Sequence, residues 1–147
     1  LSIENVLISD AAAAMPGVVR TLLAAHGAAW TYSLAINDVY FDEINFPLAL
    51  AGRTDIRNVS AGDGSTKALG RIAAGISQQV ATVAEPLKMH GYQLADELNR
   101  ALAGAPPSGF QSTPILVTTA LMKATGKRGI ESTSGFEAAY SAIWARK

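Results

Sequence analysis

No cysteine occurs among the 147 residues. Its absence removes disulfides, zinc–thiolate sites and thiol catalysis together, and leaves the redox compartment open. Charge is scarce and balanced: charged residues make up 16% of the chain, 12 basic against 12 acidic. That balance gives no electrostatic footprint for DNA, RNA or an anionic membrane, so no nucleic-acid partner is expected. The sequence also lacks any uninterrupted run of about eighteen apolar residues, which predicts a soluble chain without a membrane span. Its first residues, LSIENVLISD, have no initiator Met, no basic start and two carboxylates. They do not read as a secretory signal, and they suggest a processed chain or a fragment.

What the chain does have is apolar material, 49% of its residues. Its length suits one domain that buries a core unaided. Periodicity predicts a strand over Ser2–Ile8, and Ser9-Asp10 offers a helix cap after it. The expected helix proper begins near Pro16, where proline suits a first turn, and ends at Gly27. A second strand follows over Tyr32–Ile36, then a helix over about Tyr40–Leu50. A third strand, Ile56–Ala61, runs into Gly62-Asp63-Gly64-Ser65, with Ser65 placed to cap a helix carrying Leu69, Ile72 and Ala73. Val80–Ala84 is a fourth strand. HGYQLADELNRALAG is the plainest helix, with Leu94, Leu98 and Leu102 in register and Gly104 as its stop. A fifth apolar run, ILVTTALM, and an amphipathic stretch over Phe136–Trp144 complete the chain.

Strands alternating with helices predict an α/β fold with a mainly parallel sheet. Ligands of such sheets bind beyond the carboxyl ends of the strands. Three ends carry polar groups: Asn37 and Asp38 in AIND, Asp63 in SAGDG, and Glu85 in VAEP. Together they suit chelation of vicinal hydroxyls, as in a sugar or polyol. Taken singly, such a residue is more often a cap or turn residue than a site. Trp30, Tyr40, Phe41 and Trp144 are candidates for stacking on a sugar ring, or simply core. His26 and His90 stand alone and support no metal site. GDGST lacks the lysine of a phosphate-binding loop, and Asp63 would repel an anion.

The segments YSLAIND, NVSAGDGSTKALGRI, QQVATVAEPLKMHGYQLADELNRALAG and PILVTT resemble the C-terminal lobe of the type I periplasmic sugar-binding proteins, receptors of ABC importers related to LacI-type effector domains. The resemblance implies a three-layer α/β/α lobe, Rossmann-like, over the whole chain, with the N-terminal lobe of a two-lobed clamshell absent. It implies a non-enzymatic solute receptor without cofactor or metal, periplasmic or lipid-anchored outside a Gram-positive cell, delivering its ligand to a membrane permease. Asn37 and Asp63 fall on the family's hydroxyl-binding Asn and Asp. Glu85 stands where a Gln is common, which favours a ligand with extra donors. The alternatives are the effector-binding domain of a LacI-type regulator and, third, a glycoside-cleaving enzyme built on Asp38 and Asp63. Half a receptor would leave apolar surface and a sheet edge uncovered, so a homodimer is also expected.

Overall fold

The structure, a computed structural model, describes residues 1–125 and 135–145. After an irregular segment over residues 1–7 and a 3-10 turn at Ile8–Asp10 comes α1, Ala11–His26. The alternating elements follow: β1 Tyr32–Ala35, α2 Val39–Leu50, β2 Arg57–Ser60, α3 Thr66–Ala74, β3 Gln79–Ala84 and α4 Leu87–Leu102. β4 Ile115–Thr118, α5 Thr119–Thr125 and α6 Phe136–Trp144 close the described chain. The strands form one sheet in the order β1-β2-β3-β4. β1, β2 and β3 are mutually parallel and β4 runs antiparallel to β3. The result is an α/β fold, a mixed sheet flanked by helices.

Two clusters make the core. Ala11, Met15 and Val19 recur every fourth residue along α1 and meet Phe41, Ile44 and Leu48 of α2, with Trp30 and Ile56 beside them. Each buried large side chain of this kind contributes roughly 1.5–3 kcal/mol. The second cluster joins Leu69 and Ile72 of α3 to Ala84, Val117 and Met122. Ser65 caps α3 as expected, its Oγ accepting the Ala68 N–H at 3.2 Å.

Several expectations are corrected. Ser2–Ile8 is not a strand: no neighbouring strand pairs with it, and Leu1, Ile3 and Leu7 are exposed. It is tied to the fold by the Tyr40 hydroxyl, which donates to the Val6 carbonyl at 2.7 Å, and by the Val6 side chain, which packs against the first core cluster. α1 begins at Ala11 rather than near Pro16, which lies inside it. The alanine run and the packing of Ala11 and Met15 on α2 outweigh the hydrogen bond that proline removes. The fifth apolar run divides into β4 and α5, where Thr118 Oγ1 accepts the Leu121 N–H at 3.3 Å. Ile8–Ala29 forms a continuous helical run of 22 residues, long and apolar enough by length and composition to cross a membrane. One side of it packs on α2 while Arg20 and Thr21 are exposed, the arrangement of a helix lying on a core. The Gly/Ser/Thr-rich linker expected before α6 lies largely outside the described residues.

Cover is one-sided. Ala35, Ser60, Thr82 and Val117 point to the helix-covered face, as their shared register requires. On the other face Tyr32, Leu34, Ile36 and Leu116 are exposed, Leu34 at 85%. The expected leucine stripe of α4 also faces outward. α4 is joined instead to α6: the Tyr92 ring stacks on Trp144 at 5.6 Å and meets Phe136 edge-on at 5.3 Å. Buried Asp96 accepts the Trp144 indole N–H at 3.0 Å and the Arg100 Nε–H at 2.8 Å.

Candidate functional site

Because β1, β2 and β3 are parallel, their carboxyl ends open on one rim. β1 leads through Ile36 to Asn37, whose Oδ1 accepts the Val39 N–H at 2.9 Å and so starts α2. With its carbonyl committed, Asn37 has its amide N–H groups left to offer as donors.

The second exit is the turn Gly62-Asp63-Gly64. The Ala61 N–H donates to the Ala35 carbonyl at 2.8 Å, carrying the β1–β2 pairing to the rim. A Cβ on Gly62 would stand 3.1 Å from the Ile36 carbonyl oxygen, and one on Gly64 would stand 2.6 Å from the Ala84 Cβ. Gly64 also has φ +79°, which glycine adopts readily and other residues do not. The turn is therefore wedged between the ends of β1 and β3, tightly at Gly62 and with no room for a side chain at Gly64. Thr82 Oγ1 donates to the Gly62 carbonyl at 3.3 Å. Between the two glycines Asp63 is exposed, and it forms no hydrogen bond or ion pair among the described residues.

At the third exit Glu85 precedes Pro86 and the start of α4. Its carboxylate is half exposed and lies 3.7 Å from His90 Nδ1. His90 Nε2 contacts the Ser112 hydroxyl.

Asp38 differs from the other three. It is 1% exposed, and all its partners are internal. Oδ2 accepts the N–H groups of Gly64 and Ser65, each at 2.9 Å. Oδ1 accepts Gln79 Nε2 at 2.8 Å and the Ser60 hydroxyl. Gln79 is oriented in turn by Arg71, whose Nε and Nη2 donate to its Oε1 at 2.9 and 2.6 Å. Arg71 is paired with Asp42 at 2.6 Å. Sequence reading missed Ser60, Gln79 and Arg71. The available signal for Ser60 and Gln79 was the recurrence of polar residues inside β2 and β3; Arg71 lies on α3 and had none.

The four aromatic candidates have structural partners. Phe41 and Trp30 are core, with Trp30 Nε1 donating to Ser33 Oγ at 2.9 Å. Tyr40 holds the N-terminal segment, and Trp144 is stacked on Tyr92. Beside β1 a mainly apolar groove of about 850 Å3 runs between residues 1–7 and Tyr32, Leu34 and Ile36. It carries none of the rim carboxylates, so the polar rim is the better candidate for recognising a polar ligand. Among the described residues no group of three His, Cys, Asp or Glu side chains is placed to hold a metal ion.

The chain matches no protein-family model and no curated protein. Solved structures do match it. An ABC transporter solute-binding protein from Agrobacterium vitis with bound allitol is 21% identical, with a TM-score of 0.69 over 86% of this chain and 44% of its own. An ABC sugar transporter subunit from Rhodobacter sphaeroides 2.4.1 is 25% identical, with a TM-score of 0.66 over 80% of this chain and 41% of its own. The 5-methylthioribose transporter solute-binding protein from Thermotoga lettingae TMO, in complex with 5-methylthioribose, is 21% identical, with a TM-score of 0.61 over 90% of this chain and 40% of its own. The chain thus spans less than half the length of each. Its structural neighbours are ABC transporter sugar-binding proteins, and its fold is the periplasmic binding protein type I fold that they carry.

Proposed function

We propose that the chain is the sugar-binding part of a solute receptor for an ABC importer, holding its ligand at the rim of Asn37, Asp63 and Glu85. The observation that carries this reading is Asp63, an exposed carboxylate without an internal partner among the described residues, on a turn that two strand ends hold in place. An amide donor at Asn37 and a carboxylate acceptor at Asp63 match the mixed donor and acceptor character of vicinal hydroxyls. Glu85 adds a second acceptor, which favours polyols and amino sugars over ligands poor in donors. The sugars named for two neighbours, allitol and 5-methylthioribose, support this ligand class.

In this reading the 147 residues are the C-terminal lobe of a clamshell. A facing lobe supplies the remaining contacts, and closure is a population shift toward the state with more of them. The receptor works outside the cytoplasmic membrane, periplasmic or lipid-anchored, and hands its ligand to a permease without chemical change. In the chain on its own, a second copy covers the open sheet face.

The test is a thermal-shift screen with allitol, 5-methylthioribose, amino sugars and other polyols, repeated on Asn37→Ala and Asp63→Ala. A ligand at about a hundred times its dissociation constant stabilises by about 2.7 kcal/mol. A shift that both substitutions abolish is expected. No shift with any compound at millimolar concentration would overturn the reading.

A further inference from the structure

We propose that Asp38 is a positioning residue of the rim: it sets the turn that carries Asp63 and touches no ligand itself. What the turn does rests on the binding reading above, whereas the geometry of the turn stands apart from it. An ionised carboxylate has about four acceptor sites. Asp38 has donors for all of them, namely the Gly64 and Ser65 N–H groups on one oxygen and Gln79 and Ser60 on the other. At 1% exposure it has neither surface nor acceptor capacity left for a ligand.

The chemistry also fixes which side chain can serve there. The two backbone N–H groups are donors that cannot turn. Gln79 cannot flip, because Arg71 donates to its oxygen twice and leaves its amide N–H facing Asp38. Both sides of position 38 therefore present donors, and the residue must accept on both oxygens. Asparagine has the same shape but would aim an N–H at one set of donors. The negative charge is further favoured because Ser65, one of its two backbone donors, is the N-cap of α3. Asp38 thus ties Gly64 and Ser65, which follow Asp63, to the last residue of β2 and the first residue of β3. Asp63, one residue earlier, is aimed by that attachment.

The experiment follows amide hydrogen exchange by NMR in the 147-residue chain together with allitol titrations, on the unmodified protein, Asp38→Asn and Asp63→Asn. Asp38→Asn is expected to speed exchange at Gly64 and Ser65 by about tenfold or more while Ile72 and Val117 keep their protection. It should weaken allitol binding by about tenfold. Asp63→Asn should lose binding and keep Gly64 and Ser65 protected. Lost binding with those two amides still protected in Asp38→Asn would mean direct contact and overturn the proposal. Protection falling equally at Ile72 and Val117 would reduce Asp38 to a general stabiliser and overturn it as well. If the unmodified chain ignores allitol, the binding reading fails for that ligand and the amide pattern still decides the positioning. If Asp38→Asn does not fold, Asp63→Asn decides. Its Gly64 and Ser65 amides should keep their slow exchange, and loss of that protection would name Asp63 as the acceptor.

Discussion

Gly64 lies against Ala84 with no room for a side chain, since a Cβ on Gly64 would come within 2.6 Å of the Ala84 Cβ. The obstacle is an atom fixed to the backbone of β3, so it cannot swing aside. Gly64→Ala should cost stability twice over, through this clash and through the φ of +79° that alanine adopts at a cost of about 1 kcal/mol or more. Adding Ala84→Gly removes the 2.6 Å clash, leaving a tight 3.3 Å approach to the residue-84 Cα and the dihedral cost. Denaturant melts of the two single variants and the double should show partial recovery, with a coupling energy that two independent sites would not have. Simple addition of the two losses would mean that the turn does not press on β3.

Acid should loosen the contact between α4 and α6. The Arg100 guanidinium first, and the Trp144 indole N–H second, hold the Asp96 carboxyl below its ordinary range. A carboxyl lowered in the fold keeps its full contribution above the ordinary aspartate range. It loses that contribution as pH falls toward the lowered value, because the unfolded chain takes up the proton first. The fluorescence of Trp144, stacked on Tyr92, should therefore change below about pH 4, and Asp96→Asn should flatten that change. An acid response that survives Asp96→Asn would assign it to another group.

The open sheet face gives the third prediction. Leu34 and Leu116 project from the same side of the sheet, opposite the helices, and both are exposed. Sedimentation at micromolar concentration should show a dimer, and Leu34→Lys combined with Leu116→Lys should yield a monomer with unchanged helix content. A monomer in the unmodified chain would remove the second copy as the cover of this face.

The readable parts of the sequence were those where local signals agree with the fold. Ser65 has a hydroxyl at the right place before α3, and β1, β2 and β3 are bounded by turn residues. Ser2–Ile8 carried a strand-like pattern, but pairing depends on a neighbour that sequence cannot supply. The direction of β4 was illegible because a four-residue apolar run has no polarity of its own. The leucines of α4 fit a helical stripe and still face outward, since periodicity says which residues share a side and not what lies against it. At the rim, Asn37 and Asp38 are adjacent and chemically alike on paper. Their separation into an exposed-side donor and a buried acceptor depends on Gln79 and Arg71, which come more than thirty residues later.

The anchoring of the turn has an entropic consequence. Its flanking glycines are hemmed in by Ile36 and Ala84, and its last two N–H groups are held by a carboxylate that is itself fixed. Glycine-rich loops usually forfeit conformational freedom at the moment a partner arrives, at a cost of about 1–2 kcal/mol per residue ordered. Here that loss has already occurred during folding, so an arriving molecule meets Asp63 on a backbone already set. The rim of this sheet behaves as a rigid template, and adjustment to differently shaped molecules has to come from elsewhere.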